Sequence, residues 1–196
     1  MSIEQKLKKS IANLCLGGVL VASSGCAFFD RHLTLDYSPP PISSPQVKDV
    51  QVNVDIFSDE NGEVIGCVRN AYGWKTAKVK ADNNLGEWLR DSLTIELRNY
   101  GCDIITEGDP RLRGTFKKLY TDLYMKYDTD LSFVVELWNN NEKVYLDNFD
   151  GNAKKTALFV TGDEYKKVSK MAMQDALRKA TPKIIHQLEL LKNKKE

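Results

Sequence analysis

Few residues of this chain have the chemistry of a reactive site, and one of them has a definite chemical fate: Cys26. It closes the run Leu20-Val21-Ala22-Ser23-Ser24-Gly25-Cys26, behind an N-terminus that carries Lys6, Lys8 and Lys9. A positive start, a short apolar segment and small residues before a cleavage point make an export signal over residues 1–25. A cysteine directly after the small residues turns it into a lipobox. There the thiol takes a diacylglycerol, the leader is removed, and the freed amino group is acylated in turn. Ser23 departs from the Leu-like residue usual at its place, and an exported protein with a buried, unmodified Cys26 is the plainer alternative. The apolar run from Ile11 to Ala22 is twelve residues and contains Asn13, well short of the roughly 20 that a bilayer-crossing helix needs. Each buried acyl CH2 contributes about 0.8 kcal/mol, so several chains together hold firmly where one holds weakly.

The other reactive residue types are scattered. His32 and His186 are the two histidines, and neither has the neighbours that a Ser-His-Asp or Cys-His arrangement requires. No HExxH, paired CxxC or zinc spacing occurs. Asp128 and Asp130 share a strand face, and Asp122, Asp147 and Asp150 are candidates to join them in an oxygen-rich group suited to Ca2+. A solvated face of an antiparallel sheet has the same composition. The expectation is a protein that is not an enzyme and holds no metal and no cofactor beyond the acyl groups on Cys26. A hydrolase would need a cleft with perturbed titratable groups, with Cys67 as the one conceivable nucleophile.

Once Cys15 leaves with the leader and Cys26 takes lipid, Cys67 and Cys102 remain. In an oxidising envelope these two are available for a disulfide; as two separate buried thiols they would follow the ordinary preference of free cysteine. Arg69, Asn70, Tyr72 and Trp74 form the best candidate contact surface for a partner. Arg, Tyr and Trp are the types enriched at interface hot spots, and Gly73 lets a loop present them. The alternative is that both aromatics fold back onto the domain edge.

Charge excludes one class of partner. The leader holds three Lys and one Glu, so of 28 basic and 27 acidic side chains the mature chain keeps 25 and 26. That balance offers nothing to nucleic acid and makes no polybasic membrane patch. The 171 residues after the leader suffice for one domain with a core.

The elements that must position these residues follow from pattern. Residues 26–46 read as lipidated Cys and a Pro-rich tether, with Pro39-Pro40-Pro41 and Pro45 favouring an extended spacer. The single domain is then 47–196. Val50, Val52, Val54 and Ile56 alternate with polar residues, predicting a half-buried strand. Val64 to Asn70 predicts a second strand, leading to a hairpin or loop with exposed aromatics up to Asp82. Asn84 to Tyr100 predicts a helix, with Asn84 and Glu87 spaced as a capping box and Gly101 at the C-terminal turn. Arg111–Tyr124, Met125–Leu137 and Lys143–Leu158 predict three strands. A shift of apolar parity between Phe116 and Leu119 marks a bulge, and Met125 falls on the same face as Tyr127 and Leu131. The last helix opens at Thr161-Gly162-Asp163-Glu164, and Pro182 is expected to kink or divide it. The order β-β-α-β-β-β-α predicts an α+β two-layer sandwich: a mostly antiparallel sheet of four to five strands with both helices on one face.

Taken as a whole the chain resembles the YajG family of bacterial lipoproteins. The likeness rests on the lipobox cysteine, Leu33-Thr34-Leu35 before prolines and the valine-rich strand ending in Val54-Asp55. It continues through Ile65-Gly66, Arg69-Asn70-Ala71-Tyr72-Gly73, the helix beginning near Trp88-Leu89-Arg90-Asp91, the strand entry at Gly101 and the C-terminal helix. Phe57 stands where members commonly carry Arg. The resemblance implies a diderm bacterium and an envelope lipoprotein of uncharacterised role, with no catalytic residue to carry over. It also implies sorting by the residue after the lipidated cysteine: Ala27 favours the outer membrane, facing the periplasm, where Asp would retain the protein in the inner membrane. The functional expectation is a lipid-anchored, non-enzymatic periplasmic binding or adaptor domain, held by the membrane and contacting an envelope protein or ligand. The alternative is an accessory lipoprotein of a lipid or LPS transport system, which calls for an apolar groove between helix and sheet.

Overall fold

The computed structural model describes residues 29–39, 47–157 and 160–194. The export signal, Cys26 and residues 40–46 lie outside them. In chain order the elements are β1 (Arg31–Leu33), β2 (Gln51–Val54), β3 (Ser58–Asp59), β4 (Val64–Arg69) and β5 (Lys75–Ala81). They continue with α1 (Leu85–Tyr100), β6 (Asp103–Ile105), β7 (Arg111–Tyr124), β8 (Lys126–Asn139), β9 (Glu142–Thr156) and α2 (Gly162–Asn193).

Three long antiparallel strands carry the sheet, because their alternation gives them one continuous apolar face. Leu112, Phe116, Leu119 and Leu123 of β7 and Tyr127, Leu131, Phe133, Val135 and Leu137 of β8 are buried. The expected bulge is present, where the register shifts between Phe116 and Lys118. It lets Phe116 and Leu119, three residues apart, both face the core.

The other edge of β7 corrects the expected sheet. Three short strands lie parallel to it in succession: Asn53 and Val54 of β2 opposite Arg111 and Leu112, Ser58 and Asp59 of β3 opposite Thr115 and Phe116, and Gly66 to Val68 of β4 opposite Thr121 to Leu123. β4 turns back antiparallel into β5, β1 lies parallel on β5, and β6 lies parallel on β2. The result is a mixed sheet of nine strands, not a mostly antiparallel one of four to five. Strands of two to four residues such as β1, β3 and β6 are too short to show a period. Parallel pairing with a distant segment leaves no local mark.

The first strand also ends sooner than its alternation predicts. Ile56 is exposed and Phe57 buried. After Val54 the chain follows β7 only through Asp55, whose N–H donates to the Leu112 carbonyl at 2.9 Å. Phe57 then enters a space left by two glycines. A Cβ at Gly114 would lie 2.5 Å from the Phe57 ring, and one at Gly86 2.0 Å from the Phe57 carbonyl oxygen.

Both helices have the expected caps. Asn84 Oδ1 accepts from the Glu87 N–H at 3.0 Å, and Gly101 adopts φ 100° at the other end of α1. Thr161 Oγ1 accepts from the Glu164 N–H at 3.2 Å to start α2. Leu85, Trp88, Leu89, Leu93 and Leu97 bury one face of α1, and the Trp88 ring meets Phe116 at 6.2 Å. The two helices touch each other, and α2 packs on β8 and β9. α2 is not divided at Pro182 but runs as one 32-residue helix. An interior proline costs about 3 kcal/mol. Ile184, Ile185 and Leu188 beyond it are buried, and at about 1.5–3 kcal/mol each they outweigh that cost.

The segment assigned to a tether is partly domain. Leu33 and Leu35 are buried, Tyr37 hydrogen-bonds Glu96 on α1, and Gln174 on α2 donates to the Ser38 carbonyl at 3.2 Å. Val47 is buried again and donates to the Tyr100 carbonyl at 3.0 Å. The proline run therefore joins two docked pieces of chain and does not stand between Cys26 and the domain. Leu33 and Leu35 lie in a segment whose prolines suggest a spacer until β5 offers β1 an edge.

Helix α2 approaches the sheet over Gly151, where a Cβ would lie 2.0 Å from the Ala172 carbonyl oxygen and 2.9 Å from the Ala176 Cβ. Gly151→Ala must push α2 outward, and overpacking of this kind costs about 1–3 kcal/mol. A urea midpoint lowered by that amount, with the m-value unchanged, is the expected result.

Candidate functional site

The residues singled out for partner contact gather at one end of the sheet, where two hairpins finish side by side. β4 and β5 are joined through Asn70 to Trp74, and β7 turns into β8 at Met125, which adopts φ 62°. The parallel register Val68↔Leu123 sets the two turns level with each other.

The first turn is built by its own polar groups. Asn70 Oδ1 accepts from the N–H groups of Tyr72 and Trp74, each at 3.0 Å, and the Gly73 N–H donates to the Asn70 carbonyl at 2.9 Å. Gly73 takes φ 83°, a conformation that side chains oppose. Asn and Gly are thus required here to hold the loop rather than to meet a partner.

Arg69 fastens this turn to β7. Its Nε lies 2.7 Å from Asp122 Oδ1, its Nη2 2.8 Å from Asp122 Oδ2, and its Nη1 donates to the Gly73 carbonyl at 3.0 Å. A planar guanidinium can make all three bonds at once, which a lysine could not. The Arg69 guanidinium holds the Asp122 carboxyl below the usual carboxylate range, and the Cys67 thiol adds a donor at 3.5 Å. Tyr124 bridges the hairpins by donating to the Ala71 carbonyl at 3.3 Å. Behind them Tyr165 of α2 donates to the Cys67 carbonyl at 3.0 Å and meets Tyr127 edge-on at 5.0 Å.

On this rigid base the aromatic side chains stand free. Tyr72 is 84% exposed and Trp74 73%, their rings 6.3 Å apart. They do not fold back onto the domain. Arg69 and Asn70 thus support the surface, and Tyr72 and Trp74 form it. Two further residues belong to it. Met125, expected on the core face of β8, is 78% exposed, and Phe29 is 72% exposed. These are the four most exposed large hydrophobic side chains among the described residues; the next, Ile56, stands elsewhere at 66%. Met125 escaped sequence reasoning because Tyr124-Met125-Lys126 contains none of the residues that announce a turn.

Cys67 and Cys102 are free, separate buried thiols, not a disulfide. Cys67 is level with Asp122 near the end of β7, whereas Cys102 precedes β6 beside β2, which meets β7 at Arg111. Eleven residues of extended strand lie between those levels, roughly 36 Å, against the 7 Å limit for a bridge. The aspartates do not gather either. Asp122 pairs with Arg69, Asp128 with Lys126 and Lys154, Asp130 with Lys118, and Asp147 with Lys183. Among the described residues no group of three or more His, Cys, Asp or Glu is placed to hold a metal. His32 pairs with Asp82 at 3.0 Å, an exposed contact. Between helices and sheet, where the lipid-transport alternative calls for an apolar groove, Leu89, Leu93, Phe133, Ala172 and Ala176 are fully buried. A depression nearby, lined by Glu96, Tyr100, Met171, Gln174, Asp175 and Arg178 among others, exposes more apolar than polar surface.

No family model matches the chain, and no curated protein matches it. Solved structures do. Protein XCC0632 from Xanthomonas campestris, assigned to family model DUF330, superposes with a TM-score of 0.53 at 13% identity, covering 78% of this chain and 92% of that one. A second, described only as an uncharacterized protein, gives 0.47 at 11% identity, covering 78% and 99%. The chain therefore has the fold of a DUF330 protein, and at this identity the likeness concerns the fold alone.

Two outcomes check the site. Because Asp122 is held below its unfolded pKa of about 4, its pair with Arg69 stabilises the fold fully above that value and is lost as pH falls through the lower, folded one. Asp122→Asn lacks this contribution, so its urea midpoint is lower at neutral pH and falls less steeply on acidification. Without reductant, Cys67 and Cys102 should both react with a thiol reagent in urea. Cys102, whose thiol burial pushes up to about 11, stays unreactive in the folded protein at neutral pH.

Proposed function

We propose that this chain is a lipid-anchored protein of the bacterial envelope whose domain works by contact and not by catalysis. The observation that carries the reading is that Tyr72 and Trp74, their rings 6.3 Å apart, stand exposed on a turn level with exposed Met125, at the sheet end toward which the chain leads back to exposed Phe29. Isolated exposed apolar residues are ordinary, whereas a gathered set marks an interaction site. The lipobox supplies the anchor: acyl chains on Cys26 hold the domain at the membrane, and Ala27 directs it to the periplasmic face of the outer membrane. Arg69, Asp122 and the Asn70 turn supply preorganisation, since a surface already held in its binding shape loses less entropy on contact.

The anchor is tested in cells that process lipoproteins. Wild-type protein should incorporate labelled fatty acid and fractionate with membranes. Cys26→Ser should lose the label and appear in the soluble periplasmic fraction. Persistent labelling of the serine variant would remove the basis of the reading.

A further inference from the structure

The exposed hydrophobic end and the point where the chain enters the fold coincide. β1 lies parallel to β5 with Arg31 opposite Val79, and Asp30 accepts from the Lys78 N–H at 2.8 Å. Following β1 backwards therefore moves along β5 toward Trp74. Cys26 is only three residues before Phe29, and three residues span at most about 11 Å.

We infer that this end of the domain rests on the bilayer that holds the Cys26 lipid, with Tyr72, Trp74, Met125 and Phe29 seated at the membrane–water boundary. The inference rests on the proposed acylation of Cys26, and it names the occupant of the contact surface.

Length selects the bilayer over a protein. A folded domain of about 100 residues has a radius of gyration near 13 Å, so it does not fit in a gap of about 11 Å between lipid and fold. Chemistry agrees. Trp and Tyr concentrate at membrane interfaces, where an apolar ring and a polar edge are both accommodated. Met125 and Phe29 are apolar throughout and suit the acyl boundary. Both carboxylates named at this end are paired, Asp122 with Arg69 and Asp128 at 3.4 Å from Lys126 and Lys154, and the excess charge is positive. Lys75 and Lys78 border the patch on β5, and such stems can lie along apolar surface with the ammonium in the headgroup layer.

The test uses the mature full chain, extracted from membranes and reconstituted into phosphatidylethanolamine–phosphatidylglycerol vesicles with or without brominated acyl chains. Bromine quenches an indole in contact with lipid. Trp74 should be quenched, and W74F should lose most of the bromine-dependent quenching. Trp88 is buried. Trp138 lies twelve residues along β8 from Lys126, roughly 40 Å away, so both should stay bright. Trp74 is exposed, so W74F leaves folding intact, and intact mass shows whether the same sample carries acyl chains. In an acylated sample, quenching that is absent or that survives in W74F overturns the bilayer seat and leaves the anchor standing. A sample without acyl chains on Cys26 overturns both.

Discussion

The fold depends on satisfying both edges of β7. Fourteen residues of extended backbone present donors and acceptors on two sides, and a buried group left without a partner costs about as much as a lost hydrogen bond. One side is met along its whole length by β8. The other is met in three instalments, by β2, β3 and β4. Everything N-terminal to α1 is arranged by that requirement. Phe57 turns inward where the chain passes from β2 to β3, and Gly114 on β7 leaves room for its ring. β4, reaching the last third of β7, brings Arg69 to Asp122 and thereby sets the hairpin turn beside Met125.

The same geometry separates support from contact. Arg69 bonds Asp122 on β7 and the Gly73 carbonyl in the turn, and Asn70 Oδ1 accepts from Tyr72 and Trp74 within it, so both act as supports of the turn. Their effect on contact passes through Tyr72 and Trp74, whose backbone they hold. This division is common where a rigid element must present large side chains: fixing the loop removes an entropy cost that would otherwise fall at binding. The packing of Tyr165 against Tyr127 and the Cys67 carbonyl extends the support into α2.

The entry strand and the exposed end form one arrangement. Because β1 lies parallel to β5, the described chain enters the fold toward the end where the β4–β5 hairpin turns. Ser38 accepts from Gln174 on α2 and Val47 donates to Tyr100 at the end of α1, so the described residues on both sides of the proline run are held by the helices.

Sequence alone determined what depends on near neighbours. Both helix caps, the face of α1, the three long strands and the bulge after Phe116 are set by residues within one or two turns or strand steps of each other. Local periodicity and capping chemistry read them directly. The aromatic content of the β4–β5 hairpin was equally legible, because its turn is made by Asn70 and Gly73. What tertiary structure decided involves long sequence separations: the parallel pairing of β2, β3 and β4 with β7, the docking of β1, and the separation of Cys67 from Cys102. Met125 and Phe29 joined the exposed end for the same reason, one through a turn without turn residues and the other through the pairing of β1. Hydrogen-bond satisfaction across the sheet acts between segments that share no local pattern, and no window of sequence contains both partners.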